Sequence, residues 1–364
     1  MSTATTARPV PDQLEPEYGT KAVAVEPGGA DPIPMSERQG RPRQLLWMWT
    51  SPNMEFATIF VGAIAVLVFG LSFWQAVAAI LLGNGLGALF HGVLTTWGPK
   101  SGLGQMALGR RAFGFWGNLL PSGLNAILGW TVGGADYARY LRPDQARPAG
   151  WYAAIGNFTS STVLQIAGVA AVTAIGVGNS NNDDPAASYA SLLPGWLGHL
   201  TLIAIVVGAL SANSVNLYSS SLSFATMGVK LPTAFARAAI ALVIGVVSLS
   251  VALAVLHDTS SLGNFLLVTA YWTGPWLGVV LADRLLHRPS GDDLTVLTDR
   301  SHRNWAGPIA MVVAAVVSIA LFCNQTAYVG LLARAFPGLG DLTFEVGIVL
   351  AVGLYAVLRP RSSR

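Results

Sequence analysis

Charge is scarce in this 364-residue chain: Asp, Glu, Lys and Arg make up 11% of it, against 52% hydrophobic residues. A soluble domain carries about 25% charged residues. A surface this poor in charge cannot be wetted all round, which excludes a water-soluble enzyme or binding module. Cysteine is nearly missing as well. Cys323 is alone, so the chain has no internal disulfide and no cysteine zinc cluster, and it reads as a small packing residue in an apolar run. Also missing are a phosphate-binding P-loop, a G-x-S-x-G elbow, an H-E-x-x-H pair and a glycine-rich dinucleotide turn. Neither an ATP-driven pump nor a membrane enzyme has chemical support. Residues 1–44 lack the apolar stretch of a signal peptide and are rich in Pro, Gly and acids, so they read as a disordered cytoplasmic tail.

What is present is apolar length. A membrane helix needs about 20 mostly apolar residues. Runs at 45–71, 74–97, 151–177, 198–223, 233–256, 262–286, 305–328 and 342–358 predict eight spans in a polytopic domain over 45–358, followed by a short cytoplasmic end at 359–364. The fold class is therefore an all-α integral membrane protein, with the lipid bilayer as its solvent. With the tail inside, all but Arg334 of the 21 Lys and Arg fall on the cytoplasmic side. This positive-inside pattern predicts a multi-pass protein of the cell membrane with both termini in the cytoplasm. It also accounts for the net charge of +3 without a nucleic-acid partner.

One segment conflicts with that map. Residues 115–136 approach span length, yet Arg110 and Arg111 precede them and Arg139, Arg142 and Arg147 follow. Three arrangements are open: a re-entrant hairpin turning near Pro121–Gly123, a true span with one flank violated, or a join left where an odd number of spans was lost.

Polar groups inside membrane segments are costly and mark candidate sites. In "WMWTSPNMEFATIFVG" Pro52 removes a helix donor, and Asn53 and Glu55 follow at depth. A helix broken here frees carbonyls for a cation and half-helix ends for a substrate; the alternative is an interfacial kink with Glu55 in water. In "GWTVGG" the glycines weaken a helix, and Trp130 offers a flat face to a ring, or else belongs to the interfacial aromatic belt. "GALSANSVNLYSSSLS" gathers Ser211, Asn213, Ser214 and Asn216. Hydroxyl and amide oxygens suit Na⁺, and an amide suits a nucleobase edge; the alternative is polar packing between helices. Pro275, inside another apolar run, predicts a kink.

Several stretches together resemble the purine–cytosine permease branch of the nucleobase:cation symporter-1 family. "ERQGRPRQLLWMWTSPNMEFATIFVGAIAVLVFGLSFWQAVAAILLGNGLGALF" is similar to its first two helices, and "WGPKSGLGQMALGRRAFGFWGNLLPSGLNAI" to its inner loop and third-helix entry. "GWTVGGADYARYL" is similar to the end of its sixth helix, and "LSANSVNLYSSSLS" to its eighth. The resemblance implies a leucine-transporter-type fold of two inverted repeats, importing a nucleobase or related ring driven by Na⁺ or H⁺, with no other cofactor. An amino acid or amine carried on the same fold is the alternative within the class. Trp130 would then stack on the ring and Asn216 bond its edge, with Asn213 as the alternative and Asn53 and Glu55 nearby. Ser211 and Ser214 would face the cation together with backbone from Ser51 to Phe56. The chain departs from the family in length. It passes from "NLLPSGLNAI" to "LGW" and "DYARYL", leaving no counterpart for the rest of helix three, helices four and five, and the start of six. The resemblance thus implies an incomplete fold of eight or nine spans instead of twelve, and a non-transporting remnant becomes a second functional class.

Overall fold

Helices are the only extended regular elements among the residues that the computed structural model describes: 30–128, 133–176, 189–228, 234–254, 259–287, 293–325 and 327–359. The first predicted span is two helices. α1 (Gln44–Thr50) runs into a 3-10 turn at Ser51–Asn53, and α2 (Phe56–Leu67) departs at 59° to it. Pro52 sits at the start of that turn, where its missing N–H costs nothing. Met54 (φ −80°, ψ 59°) and extended Glu55 (φ −143°, ψ 171°) then leave helical geometry. α3 (Phe73–Thr95) begins with a reciprocal capping box between Ser72 and Gln75.

Four short helices follow: α4 (Trp97–Ser101), α5 (Gln105–Gly117), α6 (Leu119–Leu128) and α7 (Gly134–Ala138). Then come the long α8 (Ala146–Ile175), α9 (Gly195–Thr226), α10 (Ala234–Ala254) and α11 (Thr259–Leu286). The chain ends with α12 (Asp293–Thr298), α13 (Ala306–Phe322), α14 (Leu331–Ala335) and α15 (Thr343–Leu358). Among the described residues four helices are long and apolar enough to cross a membrane, and the bent α1–α2 pair makes a fifth. Leu242–Ala254, α13 and α15 are shorter apolar helices. Each of the eight predicted runs therefore holds one of these elements. α11 carries Pro275 within one continuous helix.

Two groups of helices flank α9. In the first, α1, α2 and α3 pack along α8. Polar ties cross that seam: the Asn53 amide reaches Asn157 Oδ1 (3.0 Å) and Ser160 Oγ (3.1 Å), and the Asn84 amide reaches Thr162 and Gln165. In the second, α11, α13 and α15 enclose Trp272, Trp276, Met311 and Tyr355. Gly274 and Gly278, four apart, let α15 approach closely; a Cβ at Gly274 would lie 2.7 Å from the Phe344 carbonyl oxygen. α9 meets α6 and the α1–α2 break between these groups, and α10 leans on α9.

The described ends of the conflicted segment lie close together. Gly114 (φ 67°, ψ 169°) interrupts α5 with a backbone shape that favours glycine. α6 has 10 residues, about 15 Å at the helical rise, or half of a ~30 Å hydrocarbon core. The Asn118 amide donates to the Met106 carbonyl (2.9 Å), and the Gln105 N–H donates to Asp136 Oδ1 (2.7 Å). Both described ends of the excursion, Asn118 and Asp136, therefore lie beside one turn of α5, which favours a re-entrant path with both basic flanks on one side. In a Cys323→Ala background, Trp116→Cys and Arg147→Cys, both at exposed positions, are expected to react with an impermeant maleimide from the same side of sealed vesicles. Labelling from opposite faces would overturn the re-entrant path.

Candidate substrate and ion site

The broken helix sets its loose backbone against α9. Gly208 faces the Met54 carbonyl so closely that a Cβ there would overlap it. Glycine at this position is what allows the break to touch α9 at all. One turn further on, Ser211 Oγ donates to Ser51 Oγ at 2.9 Å. Two hydroxyls and the backbone of an interrupted helix thus meet in one place, which is the donor set a hard monovalent cation takes.

The predicted residues divide around this contact. Ser51 and Ser211 are together. Asn216 is half-buried, and its amide has no hydrogen-bond partner among the described residues, so it can serve a ligand. Glu55 is half-buried at the start of α2, and no side-chain hydrogen bond caps that helix. The Phe56 ring stacks on Phe60 (5.6 Å between centroids), so its side chain belongs to α2 packing and only its backbone borders the break. Asn53 turns the other way and is held by Trp49, Asn157 and Ser160, fixing the break to α8. Asn213 and Ser214 are exposed, with the Ser214 hydroxyl returned to the Leu210 carbonyl. Trp130 lies outside the described residues.

The family described as "Permease for cytosine/purines, uracil, thiamine, allantoin" matches residues 32–134 and 126–347, most of the chain. The chain belongs to this permease family. A Bacillus subtilis protein assigned as the purine-cytosine permease YxlA is 24% identical over 441 aligned positions, covering 90% of this permease and 95% of the relative. The Saccharomyces cerevisiae purine-cytosine permease FCY2 is 37% identical over 87 residues, 23% of this chain and 16% of its own. The vitamin B6 transporter TPN1 of the same yeast is 31% identical over 116 residues, 30% of this chain and 20% of its own. Mhp1, a nucleobase-cation-symport-1 transporter solved closed with bromovinylhydantoin bound, superposes at a TM-score of 0.66 with 15% identity, over 91% of this chain and 94% of Mhp1. Inward-facing Mhp1 gives 0.64 and 14%, over 93% and 96%. The fold is thus the leucine-transporter type, with fewer than twelve membrane helices.

Two of these findings bear on length. The alignment with the Bacillus relative runs over 441 positions but takes in only 90% of the 364 residues here, so more than a hundred of its positions have no counterpart in this permease. The family match comes in two pieces that meet at 126–134, the stretch where the sequence passes from third-helix to sixth-helix character.

Sequence reasoning missed what holds the join in place. Asp136, only 2% exposed, accepts the Gln105 N–H and the Ser219 hydroxyl, each at 2.7 Å. Asn125 donates to Ser223 at 2.7 Å, tying α6 to α9. Arg110 donates to the Thr226 carbonyl (2.6 Å) at the end of α9 and to Leu297 (3.2 Å) in α12. Trp49, His91, Tyr137 and Tyr218 make successive ring contacts linking α1, α3, α7 and α9. The available signal was Asp136 itself, a carboxylate in a segment of near-span length.

Asp136→Ala is expected to lower the melting temperature of the detergent-solubilised permease by several degrees. It strands a buried N–H and a hydroxyl, at a cost of about 2–4 kcal/mol. A melting temperature unchanged from wild type would remove Asp136 from this role.

Proposed function

We propose that this permease moves a planar nucleobase-like ring across the cell membrane, both termini in the cytoplasm, by coupling it to Na⁺ or H⁺. The observation that carries the reading is the Ser211–Ser51 contact at the helix break, with the unpartnered Asn216 amide further along the same helix. In this reading Na⁺ replaces the hydroxyl–hydroxyl bond as its own ligand set forms, drawing on Ser51, Ser211 and carbonyls of the break. The family resemblance assigns ring stacking to Trp130, and Asn216 donates to and accepts from the edge of the ring. Glu55 is the proton carrier if the coupling ion is H⁺. Relatives described as purine-cytosine permeases, and Mhp1 solved with a hydantoin, support the ring class.

A second reading has its own observation. More than a hundred positions of the alignment with its Bacillus relative have no counterpart in this chain, so a remnant that binds without transporting is a distinct outcome. Uptake of external labelled cytosine, adenine, uracil or allantoin into reconstituted vesicles separates the two. The proposal expects saturable accumulation that follows either a Na⁺ or a proton gradient. Ser211→Ala is expected to cut Na⁺-driven uptake roughly tenfold or more, the scale of one lost bond to a charged group; Glu55→Gln abolishes it only for proton coupling. Ring-dependent thermal protection without accumulation identifies the remnant. Neither protection nor accumulation with any ring overturns the substrate class.

A further inference from the structure

A cavity of about 490 Å³ lies between α6, α11, α13 and the turn that follows α13. Small-molecule sites run from about 300 to 1,000 Å³. Among the described residues, none that lines it belongs to the helix break or to α9. One side of α11 forms a wall: Asn264, Val268, Tyr271 and Trp272 follow at intervals of four, three and one, which places them on a single helix face. Gln325 and Tyr328 line it from the turn. Three aromatic rings, Tyr271, Trp272 and Tyr328, therefore border the space, and flat ligands pack well on such rings.

The turn is held in place by its own bonds. The Gln325 N–H donates to the Tyr328 carbonyl (3.0 Å) and the Gly330 N–H to the Cys323 carbonyl (2.7 Å). The Tyr271 hydroxyl donates to Asp341 and accepts from the Gln325 amide (2.8 Å), while Asp341 also takes the Asn324 and Thr343 N–H groups. Three polar groups of the lining residues remain without a partner among the described residues: the Asn264 amide, the Gln325 side-chain carbonyl and the Trp272 indole N–H. Trp272 is only 7% exposed. A buried indole N–H ordinarily finds an acceptor, and an acyl chain from the bilayer offers none.

We propose that this cavity is a second binding site for a planar heterocycle, separate from the contact at the helix break. A ring with a carbonyl beside an N–H matches it, because the Asn264 amide pairs with both groups of that edge and the Trp272 N–H is left for a further ring acceptor. The ligand class rests on the ring reading proposed above; the location does not. Leu124 of α6 lines the cavity, while its neighbour Asn125 bonds Ser223 of α9. An occupant here thus touches the helix that braces the first site.

Equilibrium binding of labelled cytosine, adenine, uracil and allantoin to the detergent-purified permease tests it. The wild type is expected to take a second equivalent of one of these rings per chain. Asn264→Leu removes the amide and Val268→Trp narrows the cavity. Each is expected to weaken that equivalent roughly tenfold or more, the scale of one or two lost hydrogen bonds, with the unliganded melting temperature unchanged. Asn216→Leu is expected to lose only the first equivalent. A single equivalent, lost with Asn216→Leu and kept by both cavity variants, overturns the second site and leaves the transport reading standing. Binding lost with the cavity variants and kept by Asn216→Leu supports the second site and overturns the role of Asn216 instead. No binding of any ring removes the ring class and this proposal with it. A photoactivatable phospholipid that labels 264–272 whether or not a ring is present identifies an acyl chain as the occupant, and also overturns the second site.

Discussion

Backbone inside lipid must find every hydrogen-bond partner within the protein, and this chain breaks a membrane helix where another helix is shaped to receive it. The break at Ser51–Glu55 exposes carbonyls that no intact helix would leave open. Gly208 admits the Met54 carbonyl, Ser211 meets Ser51, and Asn53 fastens the other side of the turn to α8. The same interruption that costs backbone hydrogen bonds creates an oxygen-rich patch, which is what the proposed ion coupling draws on. Site and strain therefore have one origin, Pro52 and the non-helical pair after it.

The polar atoms where α5, α6 and α7 meet α9 serve a different purpose. Asp136, Gln105, Asn125, Ser219 and Ser223 bond to one another across α5, α6, α7 and α9. A re-entrant segment has backbone ends and turns that a crossing helix lacks, and in a dry environment these need internal partners. Arg110 does comparable work at the end of α9, where its guanidinium meets the Thr226 carbonyl and the negative pole of the helix. Burial, and then the neighbouring Arg300, lowers the pKa of Arg110 from its ordinary value. Its attachment to two carbonyls favours the charged form that the helix end requires.

The helices were legible because their signal is composition summed over about 20 residues, which no single contact can override. The break was legible at Pro52 for a local reason, the missing donor. The Ser211–Ser51 pair was legible because polar residues at membrane depth are few. Asn53 was misleading: its amide satisfies α8, since a broken helix needs bracing as much as it needs ligands. Ser211 and Ser214 share one stripe of α9 and Asn213 and Asn216 another, and each stripe has one exposed and one half-buried member, because period alone does not say which helix face is buried. The structural part of Asp136 was hidden, as its partners lie 31 and 83 residues away in the chain. The non-crossing path of 115–136 was visible only as a contradiction between length and flanking charge.

A permease of this fold moves cargo by shifting one set of helices against another around a fixed site. Here the border between the sets runs through Ser51–Ser211, Met54–Gly208 and the Tyr137–Tyr218 ring contact. One wall, the α1–α2 break, is braced by α8; the other, α9, is braced by α5 and α6. The two braces share no helix, so each wall is held by its own neighbours and meets the other across these contacts.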